Sequence, residues 1–579
     1  MLEPRRLLVL LPLAALVACA TPSAGPGPAP RVATSPGAVQ GSRDDSSYGL
    51  FLAGQAAVNG GHGETAAAYF GRAATLDPGA NAHLLDTRAF SASLLAGDVK
   101  RASAIAPTDP SVEPPMRHLG ALVRGVEALS EGDAKGAHAI LTGPDVGAPH
   151  QAAAALLAPW AAAAAGDTEG ATVHPVIAGE PIAQFFANLD QGKLYERLRR
   201  YDEAETAFRS LIAGGDPGGL ASLNLGEVLE RRGRAAEAVA IYDQALARNP
   251  DDGTLAQARA RAANHKPPPP APSIRQSAAE ALIAPATLLI VQKQEEVALA
   301  YLRLVLRLDP GRDEAWMLVG DIMTSIGDLD AARAAYLTPR RGSDQFVAAR
   351  GKLAWTYQGD GDKAAALKIA RETLTAAPTS QDAASTLADL LRADERYDES
   401  ATVLDRLIAG QGDKVDWRLL YMRAVDLEES GRWADAERDL STALKERPDE
   451  PELLNFLGYS WIDRGEKLPE AIAMVKKAVD LNPQSGAMLD SLGWGYYRLG
   501  DYKAAVEKLE AAVVLAAGDP DVNNHLGDAY WRVGRLNEAR FQWRRVLTLE
   551  PSAKLKAEAE AKLKSGLDGA AHPAIVAGS

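Results

Sequence analysis

The side chains that commonly carry chemistry are sparse in this chain of 579 residues. Its nine histidines show no His-Glu-x-x-His spacing, and no cysteine cluster accompanies them, so no local motif frames a metal site. A Gly-x-Ser-x-Gly nucleophile motif does not occur. The glycine-rich residues 359–363 lack phosphate-loop spacing and are typical of a turn, while the neighbours Glu428 and Glu429 are typical of a solvated helix face. The sequence therefore predicts no catalytic residue, no metal site and no cofactor, and indicates that the protein is not an enzyme.

One residue does have surroundings that indicate a covalent modification, and it is the single cysteine, Cys19. Arg5 and Arg6 precede an apolar run over residues 7–17, and small residues lead up to the cysteine. This arrangement resembles a bacterial lipoprotein signal peptide that ends in a lipobox. The resemblance implies cleavage before Cys19 and a diacylglycerol on its thiol, and Ala20 implies sorting to the outer membrane, facing the periplasm. The alternative is an ordinary buried cysteine near a frayed terminus.

The composition and net charge of the chain argue against several classes of protein. The net charge of -14 and the pI near 5.3 argue against nucleic acid as a partner, because phosphate binding needs a basic face. A lipidated Cys19 would leave no thiol for a disulfide, so packing must stabilise the fold. Alanine, leucine and charged residues favour helices. Outside the signal sequence, no run of about 18 apolar residues is evident, so we expect no membrane-spanning helix.

Small residues recur along the chain with a spacing close to 34 residues, from Ala286, Gly320 and Ala354 to Gly493 and Gly527. A second small residue follows each first one, a turn lies between them, and a proline often closes the unit. The pattern resembles the tetratricopeptide repeat, whose period is 34 residues and whose unit is two antiparallel helices, A and B. It predicts an all-α tetratricopeptide-repeat solenoid, a superhelix of antiparallel helix pairs in which neighbours stack to bury their apolar faces. The first small residues are Ala286, Gly320, Ala354, Ala388, Ala424, Gly458, Gly493 and Gly527, and the second are Ala298, Ala332, Ala366, Ser400, Ala436, Ala471, Ala505 and Ala539.

The regularity of the repeats changes along the chain and predicts its organisation. Consecutive prolines near residue 268 favour an extended, stiff segment, which we interpret as a linker between two arrays; a ligand for another protein is the alternative. Residues after 551 alternate Lys and Glu and indicate a polar cap for the open end of the solenoid. The predicted segments are a signal peptide (1–18), a lipidated cysteine and flexible tether (19–44), a divergent N-terminal helical-repeat array (45–263), a Pro-rich linker (264–273), a C-terminal tetratricopeptide-repeat array (274–551), a capping helix (552–566) and a disordered tail (567–579).

The surface expected to bind partners is the concave groove, which helix A lines in a solenoid of this type. Aromatic and arginine side chains are typical binding anchors, asparagine can pair with an extended peptide backbone, and arginines would attract acidic partners. The alternative is that the aromatic residues pack between repeats as core. The predicted groove residues are Tyr421, Asn455, Tyr459, Trp494, Tyr497, Arg498, Asn524, Trp531 and Arg532.

The C-terminal repeats carry a more specific resemblance. Residues 453–483, 489–513 and 519–547, taken with the lipobox, are similar to the tetratricopeptide outer-membrane lipoproteins that act as adaptors for periplasmic carboxyl-terminal processing proteases. That resemblance implies protein partners, namely a protease and substrates such as cell-wall hydrolases. A scaffold for envelope polysaccharide export or outer-membrane assembly is the alternative function.

Overall fold

The computed structural model describes residues 46–59, 63–76, 82–177, 181–250, 252–412 and 415–567, and every regular element in these ranges is helical. Successive helices pack as antiparallel pairs that stack into a superhelix, so the predicted all-α solenoid is confirmed. Cys19, the predicted signal peptide and tether, and the tail from residue 568 lie outside the described residues.

The first eight helices form four pairs. They are α1 (Ser47–Asn59), α2 (Gly63–Leu76), α3 (Ala82–Ala96), α4 (Val99–Ala104), α5 (Pro114–Glu131), α6 (Ala134–Leu141), α7 (Gln151–Ala164) and α8 (Thr168–Ala171).

Five further helices precede the Pro-rich segment and pack around a core of their own. They are α9 (Pro181–Arg197), α10 (Tyr201–Gly214), α11 (Leu220–Arg231), α12 (Ala235–Leu246) and α13 (Gly253–Ala263), with a short 3-10 turn at Pro217–Gly219 between α10 and α11.

The remaining helices form the regular part of the superhelix and its cap. They are α14 (Ile274–Ala281), α15 (Ile283–Val291), α16 (Glu295–Leu308), α17 (Asp313–Ile326), α18 (Leu329–Leu337), α19 (Phe346–Gly359), α20 (Lys363–Ala376), α21 (Gln381–Ala393), α22 (Tyr397–Gly410), α23 (Trp417–Glu429), α24 (Trp433–Glu446), α25 (Pro451–Arg464), α26 (Leu468–Leu481), α27 (Gly486–Arg498), α28 (Tyr502–Leu515), α29 (Pro520–Arg532), α30 (Leu536–Val546) and α31 (Ala553–Ser565).

Within a pair, the small residue of helix A is in close contact with a large side chain of helix B. A Cβ added to Gly527 on α29 would come within 2.5 Å of Trp543 Nε1 on α30. Even the Cβ of an alanine would be too close there, which explains why this position is a glycine. The same relationship, with a spacing of sixteen residues, joins Gly54 to Phe70, Gly125 to Leu141, Gly192 to Phe208, Gly226 to Tyr242, Gly320 to Tyr336 and Gly493 to Leu509.

The turn between the two helices of a pair also has a recurring chemistry. At residues 359–363, Gly361 has a φ of 83°, and the side chain of Asp362 accepts a hydrogen bond of 3.0 Å from the backbone N–H of Ala365. Glycine adopts the left-handed conformation without strain, and aspartate satisfies a free N–H at the start of the next helix. This stretch is therefore a turn, as predicted. Equivalent pairs are Gly97-Asp98, Gly132-Asp133, Gly166-Asp167, Gly327-Asp328 and Gly500-Asp501.

The chain returns onto its own first helices after the Pro-rich segment. α14 packs on α7, and α16 packs on α3, α4 and α5. Arg307 donates to Glu127 at 2.7 Å, and His150 Nδ1 lies 2.8 Å from the Tyr301 hydroxyl. One apolar cluster runs through helices on both sides of residues 264–273. The predicted boundary at 264–273 therefore does not separate two cores, because the segment is a surface connection between helices that share one.

A segment that the sequence analysis did not single out is apolar enough to cross a membrane. By length and composition alone, Ile274–Val291 qualifies, with a mean hydropathy of 1.3 and 39% of the segment buried inside the protein. Ala278 and Leu282 are fully buried, and α14 packs on both α7 and α16. In this structure the segment is thus a helix pair of the shared core.

Candidate functional site: the concave groove of the C-terminal repeats

Four consecutive A helices, α23, α25, α27 and α29, lie side by side, and in a tetratricopeptide-repeat solenoid it is the A helices that line the concave groove. A cavity of about 280 Å³ opens on this surface, and we call it the acidic cavity. It receives side chains from all four helices because residues one repeat apart occupy the same face. Its lining consists of Tyr421, Val425, Glu428, Glu429, Glu452, Asn455, Phe456, Tyr459, Ala487, Asp490, Ser491, Asp519, Asp521 and Val522.

Aromatic rings form one wall of the acidic cavity. The rings of Tyr421 and Phe456 meet edge to face, with centroids 5.6 Å apart, and Tyr459 follows on the next turn of α25. Burial raises the pKa of both tyrosine hydroxyls, and Glu452 raises that of Tyr421 further. The structure thus brings together three of the predicted groove residues, Tyr421, Asn455 and Tyr459, in one cavity.

Carboxylates form the rest of the polar surface. Six acidic residues line the acidic cavity, and no lysine or arginine is among the described residues that do so. The whole chain carries 62 basic against 76 acidic residues, so this lining departs from the average composition. Across the described residues, no group of three or more potential ligands is arranged to hold a metal ion, and the six carboxylates are no exception.

The pKa values of two of these carboxyls are raised, mainly by burial and further by neighbouring carboxylates. Burial raises the pKa of Glu428, and Glu429 adds to the increase, although Ser460 and Arg464 oppose it. Burial by the surrounding protein raises the pKa of Asp521; the imidazole of His525 opposes this increase, and Asp519 and Asp490 add to it. Both carboxyls therefore hold a proton more readily than free carboxyls do, while the neighbouring acids show how closely the acidic groups lie together.

Trp494 does not lie in the open groove, and its interpretation as a surface anchor is not supported. The side chain is only 8% exposed, and its ring is stacked between Tyr497, at 4.7 Å, and His525, at 4.2 Å. His525 in turn places Nδ1 2.9 Å from a carboxylate oxygen of Asp490. The three rings form a column that joins α27 to α29, so Trp494 packs between repeats, which is the alternative considered above.

The two predicted arginines serve contacts between repeats. Arg498 donates to the backbone carbonyl of Asp463 at 2.7 Å and lies 3.8 Å from the carboxylate of the same residue. The Nε of Arg532 lies 3.4 Å from the Tyr497 hydroxyl. Neither guanidinium lines the acidic cavity. The expectation that they attract acidic partners into the groove is therefore not supported, because the cavity itself is lined by carboxylates, which repel an acidic partner.

Asn524 and Trp531 are covered by the capping helix, which sequence periodicity could not show. Lys562 of α31 is fully buried and donates to Asn524 Oδ1 at 2.9 Å and to Asp528 Oδ2 at 2.8 Å. Gly566, just beyond α31, lies against the Trp531 ring so closely that a Cβ there would come within 2.3 Å of it. The first helix after the last repeat takes the place of a next helix A and occupies that end of the groove.

The acidic character of the groove is not among the features predicted from the sequence. Glu428 and Glu429 were interpreted as a solvated helix face, and Glu452 and Asp521 were not considered. A signal was present, because Tyr421, Asn455 and Asp490 occupy the same repeat position, and the last of these is an acid. Aligning the A helices by repeat position and counting charges across them would have revealed the acidic surface.

Comparison with known proteins assigns the class of protein that this fold defines. A tetratricopeptide-repeat family model matches residues 189–253, 286–344, 352–414 and 421–486, and a second repeat model of the same kind matches residues 495–534. Together the matched ranges span about half of the chain. The chain belongs to the tetratricopeptide-repeat family, whose fold generally serves as a non-catalytic scaffold for protein interactions.

Individual relatives are similar over more limited ranges or at low identity. A TPR repeat-containing protein of Pseudomonas aeruginosa is 38% identical over 113 residues, which cover 20% of this chain and 19% of the relative. The chain thus matches about a fifth of the length of that relative.

Among solved structures, the chain is similar to the APC/C hetero-tetramer Cut9-Hcn1, with 15% identity, coverage of 91% of this chain and 96% of that one, and a TM-score of 0.37. A tetratricopeptide repeat protein from Parabacteroides merdae is 14% identical over 44% of this chain and 97% of its own, also at a TM-score of 0.37. With scores this low, these likenesses carry no argument about the present protein.

Proposed function

We propose that this protein is an adaptor that binds partner proteins in the periplasm while Cys19 anchors it to the outer membrane. The observation that carries the binding role is the acidic cavity, where aromatic side chains from two successive A helices and polar side chains from four are presented together. Aromatic residues that keep one face open are frequent anchors at protein interfaces. A cavity of about 280 Å³ suits one or two side chains of an extended segment better than a folded domain.

The proposed partners are a carboxyl-terminal processing protease and its substrates, cell-wall hydrolases among them. The support is the resemblance over residues 453–547 to adaptor lipoproteins of such proteases. An open-ended solenoid suits this role, because separate parts of a long surface can hold an enzyme and its substrate at the same time. A scaffold for polysaccharide export or outer-membrane assembly would use the same surface with different partners.

The partner can be identified by affinity isolation of the full chain from detergent-solubilised envelopes. We expect a carboxyl-terminal processing protease to co-purify, and we expect Tyr421→Ala to reduce the recovery of partners that enter the groove. Recovery of export or assembly components in place of a protease would favour the alternative scaffold. Recovery of the same partners in equal amounts with the variant would contradict binding in this groove.

The membrane anchor is tested separately by fractionation. Replacing Cys19 removes the thiol that would carry the lipid, and the Cys19→Ala chain should leave the outer-membrane fraction. Stable anchoring needs more than one acyl chain, so loss of the lipidated residue should have a large effect. A Cys19→Ala protein that still fractionates with the outer membrane would show that the anchor lies elsewhere.

A further inference from the structure

The acidic cavity gathers carboxylates from several helices, and three of them form no salt bridge to lysine or arginine among the described residues. Elsewhere in the described residues, carboxylates commonly pair with arginine or lysine of a neighbouring helix, as Asp439 does with Arg423 at 2.7 Å. In the acidic cavity, Glu429, Glu452 and Asp521 form no salt bridge to lysine or arginine among the described residues, although the imidazole of His525 lowers the pKa of Asp521. These side chains are exposed, so their charge is available to a bound molecule.

The other three carboxylates of the acidic cavity already have hydrogen-bond or ion-pair partners within the protein. Glu428 accepts from Ser460 at 3.1 Å and lies 3.3 Å from Arg464. Asp490 pairs with His525, and Asp519 caps α29. The unpaired carboxylates therefore lie on three different helices, α23, α25 and α29, around the aromatic wall.

We infer that the acidic cavity binds an extended protein segment through its arginine or lysine side chains. This inference rests on the proposed function and specifies the chemistry of the partner. Tyr421, Phe456 and Tyr459 offer aromatic surface for the aliphatic stem or the cationic head of such a side chain. The carboxylates of Glu429, Glu452 and Asp521 supply the complementary charge around it.

Arginine fits this arrangement especially well. Its planar guanidinium stacks on aromatic rings and donates two parallel hydrogen bonds to a carboxylate. The amide of Asn455 offers the segment's backbone a hydrogen-bond acceptor, because its Oδ1 has no hydrogen-bond partner among the described residues. An acidic partner segment would instead meet like charge at every rim of the cavity.

The inference is tested with the full chain and two labelled peptides. The first is an extended peptide of about ten residues, roughly 35 Å long, with arginines separated by small residues. The second carries citrulline, which is uncharged and nearly the same shape, at each arginine position. Fluorescence anisotropy should show binding of the arginine peptide and roughly tenfold weaker binding of the citrulline peptide.

Matched charge variants localise the effect. The double variant Glu429→Gln/Glu452→Gln should bind the arginine peptide with roughly tenfold lower affinity and the citrulline peptide with unchanged affinity. Glu446→Gln/Asp480→Asn removes the same charge from exposed positions on α24 and α26, and it should have little effect. High salt should lower the affinity for the arginine peptide more than that for the citrulline peptide, because the Debye length falls to about 3 Å at 1 M salt and attraction between charges is screened.

The outcomes separate this inference from the proposed function. Equal affinity for both peptides, or no difference between the two double variants, would overturn the cationic preference. Binding of Ca²⁺ alone that is lost in Glu429→Gln/Glu452→Gln would assign these carboxylates to a metal ion and also overturn it. In either case, partners that still depend on Tyr421 in the isolation experiment would leave the adaptor role intact. Partners that are indifferent to Tyr421→Ala would contradict the adaptor role in this groove instead.

Discussion

The Nδ1 atom of His525 lies 2.9 Å from a carboxylate oxygen of Asp490, one repeat earlier in the chain. Both side chains are buried, and the far face of the imidazole stacks on Trp494 at 4.2 Å. The pair therefore joins the cavity lining to the interior of the last repeat. Asp490 is thus hydrogen-bonded to the imidazole, whereas Asp521 interacts with the same imidazole through its charge alone.

The pair predicts a stability difference that depends on pH. Burial opposes the charged imidazole, but the carboxylates of Asp490, Asp528 and Asp521 outweigh it and raise the pKa of His525. A raised folded-state pKa contributes stability below the unfolded value of about 6.5, and this contribution is lost as the pH rises through the folded value. Breaking a buried charged pair by removing one partner typically costs about 3–5 kcal/mol. Asp490→Asn should thus lower the melting temperature more at about pH 6 than at about pH 9. An equal decrease at both pH values would show that the pair is not charged.

His150 predicts the opposite pH response at the junction between α7 and α16. Burial, with help from the nearby His118, lowers the pKa of His150 to about 4. In the unfolded chain His150 is protonated near pH 6.5, whereas in the folded chain it stays neutral down to about pH 4. The free energy of unfolding therefore decreases between about pH 6.5 and about pH 4, by at most about 3 kcal/mol. Thermal melts at several pH values should show that the native chain loses more stability on acidification than His150→Gln does. His174→Gln, at an exposed position, is the control and should behave as the native chain. A native response identical to that of His150→Gln would contradict this account.

Gly527 tests the packing between helices A and B. A leucine there would collide with Trp543 of the same unit, and overpacking of this kind costs about 1–3 kcal/mol. Gly518→Leu is a matched control, because a Cβ at Gly518 meets no atom within 4 Å. We expect Gly527→Leu to lower the melting temperature and to increase hydrogen exchange only in the last few repeats, since coupling is between neighbours. Unchanged melting of Gly527→Leu would show that this register is incorrect.

Lys562 predicts that the capping helix depends on one buried charge. Lys562→Met would leave the carboxylate of Asp528 buried without its cation, which typically costs about 3–5 kcal/mol. Hydrogen exchange in α31 should increase strongly, and adding Asp528→Asn should restore part of the protection. Lys554→Met, at an exposed position of the same helix, should change little. Equal exchange of α31 in the Lys562 and Lys554 variants would contradict a capping role for the buried lysine.

Periodicity predicted the parts of the structure that repeat locally. The small residue at Gly527 follows from the spacing, although Trp543 as its partner on helix B was not predicted, and the meeting of Tyr421 with Asn455 across two repeats also follows. The packing of α16 on α3, α4 and α5 could not be predicted, because it depends on the path of the chain after residues 264–273. Periodicity carries no information about contacts between helices so far apart in sequence.

The candidate site was predicted in outline but not in its chemistry. Position within the repeat indicated which residues point inward, but not which neighbours cover them. Trp494 is covered because the next repeat supplies His525, and Asn524 is covered because α31 supplies Lys562. The acidic charge arises from residues on separate helices, each of which resembles a solvated surface position when considered alone.

The central claim is that a partner protein occupies the groove at the acidic cavity, and site-specific photo-crosslinking in cells tests it most directly. A photoreactive phenylalanine analogue is placed at Tyr459 in the cavity and, as a control, at Val514, which is 79% exposed at the end of a B helix. We predict a discrete adduct with another protein from position 459, reduced by Glu429→Gln/Glu452→Gln, and no such adduct from position 514. Absence of a protein adduct at position 459, or the same adduct from both positions, would contradict the claim.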